Sequence, residues 1–282
     1  MPPLTPPFTA PGPPHALKLR PLFPLALGAV QLAPDPLDTA LLLRDILALR
    51  GEATGNPAEG CAWTGDLHRV WRLHRRPAFA PLLRTLVGHA GAYLESLGFA
   101  RERVALHLQR SWPVVSAFGQ GIGRHHHPNA HLSGVYYLNG DGSGRSGCLR
   151  FYPPLQPNEL VPGLAVGHDG PIRADAEAAQ RWNAPWVDVA PRAGLLLLFP
   201  AHVDHAVLEN GDPDDNRVSI SFDLVLTAPP AAADCGAEES AGEESVGEES
   251  VGDEERPIDG GAPPEYLAPH PADWQEVGPA NR

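Results

Sequence analysis

The order of apolar and polar positions divides the chain into a helical first part and a strand-rich second part. Apolar residues recur at helical spacing over 36–50 and again over 77–97, and the two runs end at Gly51 and Gly98. Over 104–226 the period changes, and short apolar runs are separated by Gly, Pro, Asn and Asp. Many short strands with no helices between them predict a barrel or sandwich rather than a parallel sheet.

The individual strand predictions follow from runs rich in β-branched, aromatic and leucine residues. In the second part they cover 104–110, 114–118, 133–138, 148–152, 195–199 and 218–226. An apolar run at 22–32 predicts one more strand, at the edge of the main sheet. Residues 153–191 show little periodicity and predict a long loop.

Both ends of the chain have compositions that disfavour a packed core. The first 14 residues contain seven prolines, so residues 1–19 are predicted to be a disordered lead-in. Residues 229–282 hold 14 Asp and Glu against two Arg, and 238–252 repeats the pattern EESxG three times. This acidic segment is predicted to be disordered. A single domain over 20–228 remains.

Charge and cysteine content narrow the class of protein. The net charge is −13, and the acidic segment accounts for −12 of it, so the remaining chain is nearly neutral and has no basic stripe for nucleic acid. The three cysteines are widely spaced, which favours a reducing compartment over a disulfide framework. No run reaches the roughly 20 apolar residues of a membrane span. We expect a cytoplasmic protein with no membrane or nucleic-acid partner, and its oligomeric state is undetermined.

Three adjacent histidines precede the strand predicted at 133–138. Side chains alternate along extended backbone, so His125 and His127 share one face and His126 points away. Two imidazoles on one face can provide two of the ligands of a metal site. The third ligand must come from elsewhere, and His205, in a turn after the buried-looking run 195–199, is the candidate.

Twelve positions after His205 stand Arg217 and Ser219, two residues apart on a predicted strand and therefore on one face. A guanidinium is a planar fork that binds a carboxylate through two hydrogen bonds. An Arg without a partner on the inner face of this strand would be costly to bury. The pair therefore indicates a site for an anion near the metal.

These residues together resemble the 2-oxoglutarate/Fe(II)-dependent oxygenase superfamily. They are most similar to its bacterial family of "putative 2OG-Fe(II) oxygenases", which has an H-x-H-P…LSGVYYL signature. The resemblance covers about 20–228 and implies a mainly β fold, the double-stranded β-helix or jelly roll, with two supporting N-terminal α-helices. It also implies Fe(II) held by His125, His127 and His205, with 2-oxoglutarate as co-substrate. Arg217, Ser219 and the hydroxyl of Tyr137 would then bind its distal carboxylate.

One position departs from the superfamily pattern, which is His-x-Asp followed by a distant His. The place of the carboxylate is taken here by His127. Iron could be held by three imidazoles, by His125 and His205 with water in place of the carboxylate, or with Asp204 as a ligand. The shared face of His125 and His127 favours the first.

The function implied by the resemblance is a dioxygenase that couples decarboxylation of 2-oxoglutarate to succinate with hydroxylation of a small-molecule or peptide substrate. Arg150, on the predicted strand 148–152, is a candidate substrate contact. A cupin-like three-histidine dioxygenase that uses no 2-oxoglutarate is an alternative, but it would have no use for Arg217 and Ser219. A non-catalytic jelly-roll binding module is the other alternative.

Overall fold

The structure is a computed structural model that describes residues 22–53, 58–155, 177–228 and 275–277. The helices in these ranges are α1 (Pro36–Glu52), α2 (Ala80–Ser96) and α3 (Glu177–Trp182), with short 3-10 turns at Gly65–His68, Leu73–Arg75 and Arg101–Arg103. The strands are β1 (Gly28–Gln31), β2 (Trp63–Thr64), β3 (Ala105–Ser116), β4 (Ile122–His125), β5 (Leu132–Tyr137), β6 (Leu149–Phe151), β7 (Val187–Val189), β8 (Leu195–Pro200), β9 (His205–Val207), β10 (Arg217–Thr227) and β11 (Gln275–Val277).

Strands β3 to β10 form two antiparallel sheets of four. The major sheet has the order β8-β5-β10-β3 and the minor sheet the order β4-β9-β6-β7. The chain changes sheet at every step from β3 to β10 except between β6 and β7. This alternation between two facing sheets is the jelly roll. The predicted double-stranded β-helix is therefore confirmed.

Two apolar layers lie on opposite faces of the major sheet. Helices α1 and α2 contribute to the outer layer, which includes Ile46, Leu86, Tyr136 and Phe222. The inner layer lies between the sheets and consists of Val135, Tyr137, Leu149, Phe151, Leu197, Phe199 and Val203. Because strand side chains alternate, each strand of the major sheet supplies both layers. The polar residues of the inner face are thus enclosed between the sheets.

Some elements differ from the predictions. The runs 104–110 and 114–118 are a single strand, β3, in which Pro113 pairs in register with Ile220. A proline cannot donate to a neighbouring strand, and on the side of β3 away from β10 the short strand β2 pairs only with Val114 and Val115. The predicted loop at 153–191 contains α3 and β7, while 156–176 lie outside the described residues.

Near the chain ends, short strands extend the major sheet. Strand β1 pairs with β8 at the sheet edge, within the run predicted as an edge strand. Strand β11 comes from the segment predicted to be disordered and pairs with β3, from Gln275 opposite Leu108 to Val277 opposite Leu106. The rest of that segment and the lead-in at 1–19 lie outside the described residues. No helix in the described ranges is long and apolar enough to cross a membrane.

Gly134 is required by close packing within the major sheet. It lies on β5 opposite Phe222 of the neighbouring strand β10. A Cβ atom at this position would overlap the Phe222 ring, which is fully buried. The glycine in the LSGVYYL segment therefore has a packing role in the layer behind the site.

We predict that Gly134→Ala destabilises the fold by about 1–3 kcal/mol, the usual cost of overpacking a core. Gly88→Ala in α2 is the matched control, since nothing lies within 4 Å of a Cβ added there. Alanine favours helix, so this variant should be neutral or slightly stabilised. Urea denaturation of both variants measures the effect, and equal midpoints would contradict it.

His74 is a buried titratable residue between the helices and β3. Its backbone N–H donates to Ser111 Oγ at 2.9 Å, and its Nδ1 lies 2.7 Å from the same oxygen. Burial, together with the charges of Arg75 and Arg72, lowers the pKa of His74 to about 4. Between pH 6.5 and 4 the unfolded chain therefore takes up a proton at this residue that the folded chain does not.

The stability of the wild type should consequently fall as the pH drops from 6.5 to 4, by up to about 3 kcal/mol from His74 alone. In His74→Asn the amide oxygen can still accept from Ser111 but cannot take up a proton. Thermal unfolding of both proteins across this pH range should give a shallower decline for the variant. Parallel curves would show that His74 makes no contribution.

Candidate active site

The three predicted histidines converge at one end of the space between the sheets. His125 ends β4 and His205 begins β9, and the two are direct partners in the β4–β9 pairing. His127 lies two residues beyond β4, where its N–H donates to the carbonyl of Ala201 at 2.9 Å. One ring nitrogen from each histidine lies within 4.8 Å of the others. The sequence predicted His125 and His127 on one face, and the structure brings both rings to His205.

The same ring nitrogen of each histidine is engaged by the protein. Nδ1 of His125 lies 2.8 Å from the carbonyl of Gly123, and Nδ1 of His205 lies 2.8 Å from the carbonyl of Val203. Nδ1 of His127 lies 2.6 Å from the Asp223 carboxylate. A carbonyl or carboxylate oxygen accepts, so each Nδ1 carries the proton and each Nε2 keeps its lone pair. Ligating histidines in metal sites have this arrangement.

Burial favours the uncharged form of two of the three imidazoles. Desolvation lowers the pKa of His125, and desolvation followed by the neighbouring His125 and His127 lowers that of His205 to about 3. A neutral imidazole is the form that binds a metal ion. Three imidazole nitrogen donors on one side of a cavity suit a divalent transition metal. The donor set therefore fits the iron that the sequence resemblance implies.

Asp204, the alternative ligand, lies on the rim. Its carboxylate accepts from Arg124 at 2.7 Å and contacts Nδ1 of His126 at 3.0 Å. Asp204 does not belong to the converging group found among the described residues. His126 was predicted to point away from His125 and His127. Its ring is hydrogen-bonded to the carboxylate of Asp204 at the rim.

A cavity of about 320 Å³ extends from the histidines to Arg217. The guanidinium is 2% exposed and donates to the Gly147 carbonyl at 3.0 Å and to Ser116 Oγ at 2.6 Å. In the described ranges its Nε has no hydrogen-bond partner and no carboxylate pairs with it. Burial lowers the pKa of Arg217, since the charge is poorly solvated. An anion bound in the cavity would relieve this cost.

Tyr137 and Ser219, the other two residues that the resemblance assigned to the co-substrate, line the same cavity as Arg217. They are direct partners across β5 and β10. Side chains at such positions start about 5 Å apart. Burial raises the pKa of Tyr137 to about 12, so its hydroxyl remains a proton donor at neutral pH. Two hydroxyls and a guanidinium thus face one region of the cavity.

Several polar residues at the site were not identified from the sequence. Asp223, Ser133 and Arg110 form a hydrogen-bonded group behind His127. Continuing the two-residue period from Arg217 and Ser219 leads to Ser221 and Asp223, so the strand pattern contained a signal for Asp223.

Two further oxygens line the cavity. Thr64 Oγ1 and Asp66 Oδ1 are buried and have no hydrogen-bond partner in the described structure. No sequence motif marked these two residues. Arg150, the candidate substrate contact, donates twice to Asp188 at 2.7 Å and stacks 4.2 Å from the Trp186 ring.

Residues 110–223 match the family described as "Putative 2OG-Fe(II) oxygenase". The oxygenase domain that contains the site is therefore similar to the proteins of this family. The match begins at Arg110 and ends at Asp223, and it includes all three histidines and the Arg217 region. The predicted enzyme class, a non-haem iron oxygenase that uses 2-oxoglutarate, is therefore confirmed, with Fe(II) as cofactor and 2-oxoglutarate as co-substrate.

No curated protein matches the chain. Among solved structures, the chain is similar to the α-ketoglutarate-dependent epimerase SnoN from nogalamycin biosynthesis, with 19% identity and a TM-score of 0.49 over 79% of this chain and 91% of that one. A Pseudomonas putida prolyl-4-hydroxylase shows 18% identity and a TM-score of 0.45, over 71% and 92%. HygX from Streptomyces hygroscopicus, with nickel and 2-oxoglutarate bound, shows 12% and 0.44, over 73% and 84%.

We predict that His125→Ala, His127→Ala and His205→Ala each weaken Co²⁺ or Fe²⁺ binding by at least about tenfold, since each removes one nitrogen donor. His126→Ala is the matched control, because its ring is hydrogen-bonded to Asp204 at the rim. Anaerobic titration of the metal-free protein measures the affinities. If His127→Ala binds metal as well as His126→Ala does, the metal is held by two histidines.

Proposed function

We propose that the oxygenase domain hydroxylates a small-molecule or peptide substrate. Dioxygen would be the oxidant, with one oxygen atom entering the substrate and the other entering succinate as 2-oxoglutarate is decarboxylated to succinate and CO₂. The observation that carries the proposal is Arg217. A buried guanidinium with no carboxylate partner lies in the same cavity as three convergent imidazoles. A dicarboxylate that spans the cavity would reach the guanidinium at one end and the metal site at the other. Its far carboxylate would pair with Arg217 while its 2-oxo acid end faces the histidines.

The hydrogen-bond inventory of Arg217 supports a bidentate contact. A guanidinium has five N–H donors, and the protein occupies one on each terminal nitrogen. Three donors remain, including the unpartnered Nε. A carboxylate approaching from the cavity would meet two of these in the fork geometry that arginine favours. The hydroxyls of Tyr137 and Ser219 would donate to the same carboxylate.

The rest of the cavity would separate the reacting groups from water. Trp112, Val135 and Leu149 supply apolar wall, and the rim is fixed by the pairing of Arg124 and His126 with Asp204. When bound, Fe(II) and 2-oxoglutarate would supply the oxidising chemistry. The chain would orient the co-substrate and hold the three imidazoles in place. The unpartnered oxygens of Thr64 and Asp66 are candidate acceptors for hydrogen-bond donors on the prime substrate.

A three-histidine dioxygenase without 2-oxoglutarate would use the same imidazoles. It would leave Arg217 buried without an anion, at a substantial cost in desolvation. A binding module without catalysis would also retain Arg217, so succinate formation is the property that separates it from an oxygenase.

We predict that the wild type, loaded anaerobically with Fe²⁺, binds 2-oxoglutarate and develops the weak visible charge-transfer band of a chelated 2-oxo acid. Arg217→Met should weaken binding by about 10- to 100-fold, the loss of hydrogen bonds to a charged group. Arg145→Met removes an arginine of the exposed pair with Asp212 and should leave the affinity unchanged.

A comparison of ligands on the wild type does not depend on whether Arg217→Met folds. 2-Oxobutyrate lacks the distal carboxylate and should bind more weakly than 2-oxoglutarate by a similar factor. Admitting oxygen should then give succinate from 2-oxoglutarate. Equal affinity for the two ligands would reject the assigned role of Arg217, and tight binding without succinate would support the binding module.

A further inference from the structure

The three converging histidines include no carboxylate, but the carboxylate of Asp223 lies directly behind the His127 ring. Asp223 is fully buried on the inner face of β10, where it pairs in register with Ser133 on β5 and Arg110 on β3. We propose that Asp223 is the positioning residue of the metal site, which orients the His127 ring and keeps its proton on Nδ1. The inference rests on the proposed function, in which His127 is a ligand.

The hydrogen bonds around Asp223 leave one assignment for the protons. One carboxylate oxygen lies 2.6 Å from His127 Nδ1 and 2.8 Å from Ser133 Oγ, and the other accepts from Arg110 at 2.6 Å. Ser133 Oγ also lies 2.9 Å from His127 Nδ1, and its single proton goes to the carboxylate. His127 Nδ1 must therefore donate. The free lone pair is then on Nε2.

His127 differs in this respect from the other two histidines. Nδ1 of His125 and of His205 contacts a backbone carbonyl, which is a neutral acceptor that belongs to the local chain. Nδ1 of His127 contacts a carboxylate 96 residues away in the sequence. His127 stands where the superfamily pattern has its carboxylate ligand, and here a carboxylate contacts the imidazole from behind. Arg110 balances the charge of this carboxylate, and the effect therefore concerns proton placement and ring orientation.

The variant Asp223→Asn tests whether Asp223 places the proton of His127 or only forms a buried ion pair. Its amide has one acceptor and one donor group, whereas Arg110 and His127 both present donors. If the amide oxygen faces Arg110, the NH₂ group faces His127 Nδ1, and the ring must shift its proton to Nε2. If the oxygen faces His127, the NH₂ group opposes the guanidinium. The first arrangement avoids opposing a charged donor, and it blocks the metal-binding nitrogen.

The test begins with the tautomer of His127 in the metal-free protein. Long-range ¹H–¹⁵N correlation spectra of the imidazoles, assigned by comparison with His127→Asn, should show Nδ1–H in the wild type and Nε2–H in Asp223→Asn. Co²⁺ and Fe²⁺ affinity should fall by about 10- to 100-fold in Asp223→Asn. Asp212→Asn is the matched variant. It makes the same substitution in an ion pair, with Arg145, that does not line the cavity, so it should retain Nδ1–H on His127 and lose no more than about twofold in affinity.

The outcomes distinguish this inference from the proposed function. An Nε2–H tautomer in the wild type would overturn the role of Asp223 even if Asp223→Asn does not fold. Unchanged tautomer and affinity in a folded Asp223→Asn would also overturn it, as would equal loss of metal binding in Asp212→Asn. If the wild type shows Nδ1–H but binds no metal, the proposed function fails. In that case the inference that Asp223 places the His127 proton still holds.

Discussion

The central position of β10 in the major sheet determines what the interior of this protein contains. The strand lies between β5 and β3, and its inner face carries Arg217, Ser219, Ser221 and Asp223 in alternation. Two of these side chains are charged and almost completely buried. A buried charge is tolerated only if it is paired and hydrogen-bonded. The two ends of the strand meet this requirement in different ways.

At the Asp223 end, the protein itself supplies the partners. An arginine, a serine and a histidine all direct donors to the carboxylate. Together they hold the pKa of Asp223 well below its ordinary value in spite of its burial. At the Arg217 end, the only acceptors within the described structure are a carbonyl and a hydroxyl, so the positive charge has no anion. The protein itself therefore neutralises the charge at the Asp223 end of β10. The charge at the Arg217 end would be neutralised by a bound anion.

The site requires both sheets of the jelly roll. The minor sheet supplies His125 and His205 from paired strands, while the major sheet supplies Arg217, Ser219 and Tyr137. His127 joins them from the connection between β4 and β5, with its ring hydrogen-bonded to Asp223 of the major sheet. Because the facing sheets enclose these groups, desolvation lowers the pKa of His125 and of His205. The same enclosure produces the cavity between metal site and guanidinium.

Periodicity in the sequence predicted two helices and a barrel or sandwich of short strands. The resemblance to the oxygenase family then implied the jelly roll and the three histidines that converge. Periodicity also predicted that Arg217 and Ser219 share a face, since alternation along a strand is a local property. Pairing between distant strands is not local. It decided that Pro113 lies within β3, that Phe222 requires a glycine at 134, and that Asp223 meets His127. Only the tertiary structure could show these contacts, because each depends on the register between strands that the sequence places far apart.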